Sequence, residues 1–235
     1  MQPPHQIHLD ASVEVGVHEH VAVLYRGRAS AFRLASFLSE GLARQELCIY
    51  LAPREFHTEM LDSLRALGTD VGNHLRSGAL VLHEGLPDFS RLREWEGRVF
   101  HEAESRRAPM VRWLEESLWH EALGFSQENF FEFHALLNYR VKKYPSVALC
   151  QYDLEQVGTG NLLQAISVHR HLLVDGTLIR DNPFYVPAEK FIPLSPNERE
   201  RDLLRLYREL DFDQENLLAT LVGYSKLEAH PRKGS

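Results

Sequence analysis

Residues 20–55 contain a strand–turn–helix–strand pattern whose turn lacks the glycines that would bind phosphate. The sequence reads HVAVLYRGRASAFRLASFLSEGLARQELCIYLAPRE, with apolar runs at residues 21–25 and 48–51. A phosphate-binding loop here would be glycine-rich and would end in Lys-Ser or Lys-Thr. The turn at residues 26–30 has one glycine, Gly27. The pattern therefore predicts a nucleotide-binding scaffold that has lost the chemistry of hydrolysis, which favours a sensor or binding module.

Short apolar runs alternate with helical patterns along most of the chain. The helical stretches repeat apolar residues at three- to four-residue spacing, and the runs are apolar at both alternate positions. This alternation predicts parallel strands joined by right-handed crossovers. Strands are predicted at residues 21–25, 47–51, 80–82, 110–114, 146–151 and 171–174. We therefore predict an α/β fold: three α/β/α layers with a mostly parallel sheet, plus C-terminal helices.

Breaker-rich stretches divide the chain into three predicted parts: an N-terminal arm at residues 1–17, a domain at 18–190 and a helical extension at 191–235. Ser195 with Glu198 forms a capping box ahead of two helices over residues 197–228. Their apolar positions, which need a surface to cover them, are Leu203, Leu206, Leu210, Leu217, Leu218 and Leu221. We expect these helices to dock on the domain or to contribute to a homodimer.

Composition excludes several classes of protein. The formal net charge of −7 argues against direct binding of nucleic acid, which favours a basic surface. No apolar run reaches the roughly 20 residues that a membrane-spanning helix needs. The start, MQPPHQIHLD, lacks the features of a signal peptide, so we predict a cytoplasmic protein. Cys48 and Cys150 each lie in an apolar run and are predicted to be buried, reduced thiols.

Several separated segments together resemble one family, the MEDS (methanogen/methylotroph, DcmR sensory) domain. They are HVAVLYRG, FLSEGLARQELCIYLAP, LRALGTDVGNHLRSGALVLHEG, MVRWLEESLWH, NYRVKKYPSVALCQYDL and HLLVDGTLIRDNPFYVP, and they cover roughly residues 18–190. The family is similar to the RecA/KaiC-like ATPases but lacks their Walker motif. The resemblance implies a RecA/KaiC-like fold with a degenerate phosphate loop. It also implies a sensory role, with small hydrocarbon derivatives as the proposed ligands.

Polar and aromatic residues follow the predicted strands at the carboxyl edge of the sheet, where open parallel sheets bind ligands. We predict that the ligand-binding residues are Tyr25, Arg26, Arg28, Glu55, Glu115, Trp119, Gln151, Tyr152 and Asp153. The three aromatic residues of this set would wall the pocket. Arg26 and Arg28 replace the phosphate loop and could bind an anionic ligand. The alternative is that these residues are polar only because strand ends are loops.

Catalysis and metal binding are not expected. Glu115 and Glu116 stand where an ATPase would hold its water-activating carboxylate, but without a phosphate loop they have no phosphate to serve. The pairs His18/His20 and His169/His171 have a spacing that could support a metal site, yet no dense cluster of ligand types appears in the sequence. We interpret them as surface or hydrogen-bonded histidines and predict no cofactor and no metal.

The leading hypothesis is a non-catalytic domain that binds a small molecule at the carboxyl edge and signals to a regulatory protein partner. One alternative is an interaction scaffold on an inactive nucleotide-binding fold. Another is an unconventional nucleotide-binding enzyme. Binding of a small organic molecule would favour the sensor, and no binding of any ligand would favour the scaffold. Magnesium-dependent turnover of ATP would favour the enzyme.

Overall fold

The computed structural model describes residues 7–9, 13–209 and 214–228. Within them, short apolar runs form nine strands: β1 (Ile7–His8), β2 (Glu14–Val15), β3 (His20–Tyr25), β4 (Leu47–Leu51), β5 (Leu80–His83), β6 (Val111–Glu116), β7 (Ser146–Asp153), β8 (His171–Val174) and β9 (Thr177–Ile179). The first two pair only with each other, and the other seven form one sheet in the order β5-β4-β6-β7-β3-β8-β9.

In the same described residues, the amphipathic stretches form a 3₁₀ helix (Arg28–Leu34) and ten α-helices. These are α1 (Ala35–Ala43), α2 (Arg54–Ala66), α3 (Val71–Ser77), α4 (Phe89–Ser105), α5 (Trp119–Ala122), α6 (Gln127–Lys143), α7 (Thr159–Val168), α8 (Ala188–Phe191), α9 (Pro196–Glu209) and α10 (Gln214–Glu228). Side-chain caps begin several of them; Asp70, Asp88 and Ser126 each accept a hydrogen bond from the backbone N–H three residues on.

The sheet is parallel except for β9, which forms an antiparallel hairpin with β8. Crossovers between parallel strands are right-handed, so the direction in which the chain moves across the sheet decides which face its helix covers. Helices on connections that move towards the β5 edge lie on one face, and helices on connections that move towards β8 lie on the other. The 3₁₀ helix, α1, α2 and α3 therefore cover one face, here the α1 face. Helices α4, α6 and α7 cover the other, the α6 face. A separate apolar core lies on each side, which confirms an α/β sheet flanked by helices.

The C-terminal helices pack on the α6 face. Leu217, Leu218 and Leu221 of α10 are buried in its core, and α10 contacts β9 while α9 contacts α7. The predicted capping box is confirmed, since the backbone N–H of Ser195 donates to Glu198 Oε2 at 2.8 Å. Leu210 and the side chain of Leu206 lie outside what the structure describes. The homodimer stays a prediction.

The structure also corrects the sequence reading at the sheet's edge. Strand β9 was not predicted, because three residues after a tight turn carry too little pattern to register.

Among the helices in the described part of the chain, none has both the length and the apolar character required to cross a bilayer. Both cysteines are buried and free, as predicted.

Candidate functional site

A cavity of about 570 Å³ opens at the carboxyl end of β3, the strand that lies between β7 and β8 in the sheet. The loops after β3 and β7 leave towards opposite faces of the sheet, and such a switch point is where open α/β sheets form ligand crevices. The cavity is lined by Leu9, Val23, Leu24, Tyr25, Arg26, Ser30, Arg33, Leu34, Gln151, Leu173, Asp175 and Gly176. Its walls are therefore mainly apolar, with a few polar groups at the rim and floor.

Gln151 is the buried polar group of this cavity. Its side-chain amide donates to the carbonyl of Ala31 in the 3₁₀ helix at 2.8 Å, and its own Oε1 has no hydrogen-bond partner. A buried carbonyl oxygen left without a donor costs about 1–3 kcal/mol. The amide thus connects the cavity to the 3₁₀ helix and retains an unused acceptor.

Tyr25 and Glu116 meet beside this amide on the α1 face. The Tyr25 hydroxyl donates to Glu116 Oε2 at 2.7 Å, and Glu116 Oε1 has no hydrogen-bond partner. Burial raises the pKa of Glu116 to about 8, because the Tyr25 hydroxyl and the backbone N–H of Leu118 compensate only part of the desolvation. This carboxyl group is therefore mostly protonated at neutral pH.

The two arginines of the turn after β3 have different surroundings. Arg26 lines the cavity, whereas Arg28 is bound to α2. Its guanidinium donates to Glu59 at 2.7 Å and to the Glu55 carbonyl at 2.9 Å, and it lies 4.0 Å from the centre of the Phe56 ring. The structure therefore does not bring Arg26 and Arg28 together as an anion-binding pair. Glu55 is exposed in the first turn of α2, away from the cavity lining.

A carboxylate of the chain itself binds the turn that follows β3. Asp153 Oδ1 accepts the backbone N–H of Gly27 at 3.2 Å and that of Glu155 at 3.0 Å. Gly27 has a φ of 74°, which glycine adopts without strain, and its carbonyl accepts the N–H of Ser30. Asp153 therefore fixes the turn by an internal contact.

Trp119 and Tyr152 do not share a cavity with Tyr25. In the β3–β7 register Tyr25 pairs with Asp153, and Tyr152 pairs with Leu24, so the two tyrosines point to opposite faces of the sheet. Trp119 and Tyr152 are buried in the core of the α6 face. The prediction of one pocket walled by all three aromatic residues is therefore wrong for the residues that the structure describes.

Glu115 organises the polar part of the α6 face. Its two oxygens accept the indole N–H groups of Trp113 at 2.9 Å and Trp119 at 2.7 Å. Although burial alone would raise its pKa, the pKa of Glu115 is lowered, because nearby His134 and the two indole donors stabilise the carboxylate. Glu115 is thus a buried anion with fixed partners.

A model of the MEDS family, the methanogen/methylotroph, DcmR sensory domain, matches residues 19–170. The chain belongs to this family. The MEDS domain here is also similar to the transcriptional repressor DcmR of Methylorubrum extorquens (strain DSM 6343 / CIP 106787 / DM4), with 22% identity over 161 residues. That alignment covers 68% of this chain and 61% of the length of DcmR.

The MEDS domain also holds a polar cluster that the sequence reading missed. Four residues are buried together on the α6 face: His20, His134, Cys150 and His169. Each offers one nitrogen or sulfur atom that could bind a metal, and these four atoms lie within 4.8 Å of one another. His20 comes from the pair His18/His20 and His169 from the pair His169/His171. His134 lies on α6 and Cys150 on β7. The expectation that no dense cluster forms is wrong, because the four residues are spread over 150 positions and converge only in the fold.

Proposed function

We propose that this chain is a ligand-sensing regulatory domain that binds a small organic molecule in the cavity beside β3 and signals to a protein partner without catalysis. The observation that carries this proposal is Gln151, a fully buried amide in the cavity lining whose Oε1 has no partner. A ligand that donates a hydrogen bond to this oxygen would remove the cost of leaving it unpaired. Membership in a sensory family and similarity to a repressor support a regulatory role.

The lining favours a ligand with an apolar body and one polar or anionic group. Leucine and valine side chains supply most of the wall, and Arg26 and Arg33 are its cationic residues. Guanidinium groups bind carboxylates through paired, charge-assisted hydrogen bonds. Small hydrocarbon derivatives that carry an acid or hydroxyl group meet both requirements, and they agree with the ligands that the family resemblance implies.

The 3₁₀ helix offers a route from the cavity to the surface. It contributes Ser30 and Arg33 to the lining, and its Ala31 carbonyl accepts the Gln151 amide. A ligand that pairs with Gln151 and Arg33 would favour one position of this helix, and α1, which follows directly, would move with it. A protein partner that reads α1 would then receive the signal. The net charge of −7 disfavours nucleic acid as the direct partner.

We further propose that the unit from β3 to α1 is a degenerate phosphate-binding unit on a RecA/KaiC-like sheet. The position of β3 at the switch point supports this, as does the turn that follows it. The N–H of Gly27 already binds Asp153, and Arg28 already binds Glu59, so the turn offers neither a phosphate cradle nor a free lysine. Phosphoryl transfer depends on such positioning and charge stabilisation, so we expect no hydrolysis of ATP.

A thermal-shift screen of the full chain tests the sensing proposal. The panel contains short organic acids, alcohols, halocarbons and nucleotides with magnesium. A ligand at a hundred times its Kd stabilises the native state by about 2.7 kcal/mol, which is readily detected. We expect a small organic ligand to raise Tm in the wild type and in Tyr152→Phe, but not in Gln151→Leu or Arg26→Ala.

Three results would contradict the proposal. A shift that survives both Gln151→Leu and Arg26→Ala would place the ligand elsewhere. No shift with any compound would favour the interaction scaffold. Magnesium-dependent release of phosphate from ATP, lost in Glu115→Gln, would show an enzyme.

A further inference from the structure

We propose that His20, His134, Cys150 and His169 form a buried, closed binding site for one zinc ion. This inference is independent of the ligand cavity, which lies on the opposite face of the sheet. The four residues come from β3, α6, β7 and the residue that ends α7, so no segment of sequence contains the site. All four are at least 97% buried, with His20 3% exposed and the other three 0%.

The hydrogen bonds of His169 leave its other nitrogen without a partner. Its Nδ1 lies 2.7 Å from the carbonyl of Ala165, and a carbonyl can only accept, so the proton is on Nδ1. Nε2 therefore carries a lone pair, and it has no hydrogen-bond partner although the residue is fully buried. A polar atom of this kind is costly to bury unless something binds it.

The His20 ring is fixed in the same way. Asn138 donates through Nδ2 to three carbonyls, those of His134, Ala135 and Val168, so its Oδ1 is the atom that faces His20 Nδ1 at 3.2 Å. The proton of His20 is therefore on Nδ1. Its Nε2 lone pair points to Cys150 Sγ at 3.2 Å. A neutral ring with its proton on Nδ1 presents the nitrogen lone pair that a metal ligand needs.

His134 is placed by a carboxylate. Its Nε2 lies 3.2 Å from Glu115 Oε1, and its Nδ1 lies 3.4 Å from Cys150 Sγ. The carboxylate lies beside the ring nitrogen but outside hydrogen-bond alignment, and a small rotation of the ring would give the carboxylate–histidine arrangement that orients imidazole ligands of metals. Each of the three rings thus has one nitrogen facing a protein acceptor, and at least two of the rings turn the other nitrogen to the same thiol.

The distances and the charges both suit zinc. Ligands at the usual zinc bond lengths are separated by about 3.3–3.6 Å, and the two nitrogen–sulfur distances to Cys150 are 3.2 and 3.4 Å. The widest separation, 4.8 Å, requires side-chain movement of about 1 Å on binding. Zinc, one thiolate and the ionised Glu115 carboxylate together carry no net charge, so the loaded site adds no uncompensated charge to the core.

The donor set identifies the class of metal and the role of the site. Three imidazoles and one thiolate in a tetrahedral arrangement favour zinc over magnesium or calcium, which prefer oxygen. Four protein ligands leave no position for water, which is typical of a structural site. When zinc binds, the thiol of Cys150 gives its proton to solvent. The ion would then connect two central strands to the helices α6 and α7.

Metal analysis of the full chain with matched variants tests this site. We expect one zinc per chain in protein purified from zinc-supplemented cells. Cys150→Ser and His169→Gln should bind zinc at least about 100-fold more weakly, and Glu115→Gln about 10- to 100-fold more weakly. Cys48→Ser and His171→Gln are the controls, because both remove buried groups outside the cluster, and they should retain zinc.

A second readout does not depend on the variants folding. Cobalt added to metal-free wild-type chain should give the visible bands of a tetrahedral site and a thiolate-to-cobalt charge-transfer band. Chelation of the wild type should also lower Tm, by roughly 5 °C or more. Wild-type chain with no zinc and no tetrahedral cobalt spectrum would overturn the site. A charge-transfer band that survives Cys150→Ser, or vanishes in Cys48→Ser alone, would place the metal elsewhere.

Discussion

Glu115 and Glu116 are neighbours on β6 and are both fully buried, yet they face opposite sides of the sheet and differ in charge. Glu115 faces two indole donors and a histidine, and its pKa is lowered. Glu116 receives one hydroxyl donor from Tyr25, and its pKa is raised to about 8. Burial is the same for both, so the neighbouring histidine of Glu115 and the neighbouring carboxylates of Glu116 decide, together with the donors, which of them is ionised.

The same contrast separates the two faces of the sheet. On the α6 face the polar groups are gathered in the core around Glu115 and the histidines, under the helices α6 and α7. On the α1 face Gln151 lines an open cavity and Glu116 binds Tyr25, which also lines it, and each of these two side chains keeps an unpaired oxygen. We infer that one face is organised for stability and the other for binding a ligand.

Replacing the two glutamates one at a time is the strongest test of this comparison. Glu115→Gln places an amide donor opposite two buried indole donors and should destabilise the chain by about 3–5 kcal/mol. Glu116→Gln closely resembles the protonated acid and should cost no stability at neutral pH, because it also removes the cost of ionising a buried acid. Urea unfolding measures both. Equal losses would show that the two carboxyl groups do not differ in charge.

The C-terminal helices should matter only to the α6 face. Leu221→Ala removes a side chain that is 1% exposed and should cost about 2–4 kcal/mol. Leu204→Ala, at a position 44% exposed, should cost less than about 0.5 kcal/mol. Neither variant should change the thermal shift caused by a ligand of the α1 face. If Leu221→Ala removed that shift, the two faces would be coupled.

Shortening the chain tests the expected homodimer separately. A chain that ends at Pro193 lacks both C-terminal helices, and its mass in solution can be compared with that of the full chain. A folded monomer from a dimeric parent would show that the helices carry the interface.

Much of the fold could be predicted from the sequence because strands buried on both faces leave a local pattern. The runs at β4 and β8 were located to the residue, and β7 extends two residues beyond its predicted end. The capping box at Ser195 is equally local. The hairpin strand β9 and the two-stranded β1–β2 sheet were missed, since pairs of two or three residues leave no periodic signal.

The candidate site was less predictable, because it depends on which face each residue points to. Tyr25 and Gln151 lie at adjacent carboxyl ends and line the same cavity. Tyr152 follows Gln151 by one position, and this single step moves it to the other face. The histidine cluster escaped for a related reason, since His18 and His171 of the two pairs lie outside the cluster that His20 and His169 form.

The pKa of Glu116 predicts a specific dependence of stability on pH. Its folded-state pKa of about 8 lies above the usual 4.5, so the native state binds the proton more tightly than the unfolded chain does. Stability from this group is complete below pH 4.5 and is lost as the pH rises towards 8. Wild-type chain should therefore lose several kcal/mol, up to about 5 kcal/mol, relative to Glu116→Gln over this interval. A difference that is constant with pH would contradict the prediction.

The two tyrosines provide the smallest and most selective comparison. Tyr25→Phe removes the only hydroxyl donor to Glu116 that the described residues show, and should cost about 1 kcal/mol. Tyr152→Phe removes a hydroxyl that is buried without a partner, so its loss should be neutral or slightly stabilising. Ligand binding separates them further, because Tyr25 lines the cavity and Tyr152 does not. Urea unfolding and a ligand thermal shift on both variants make the measurement. A ligand shift that depends on Tyr152 but not on Tyr25 would move the binding site to the α6 face and reverse the roles assigned to the two faces.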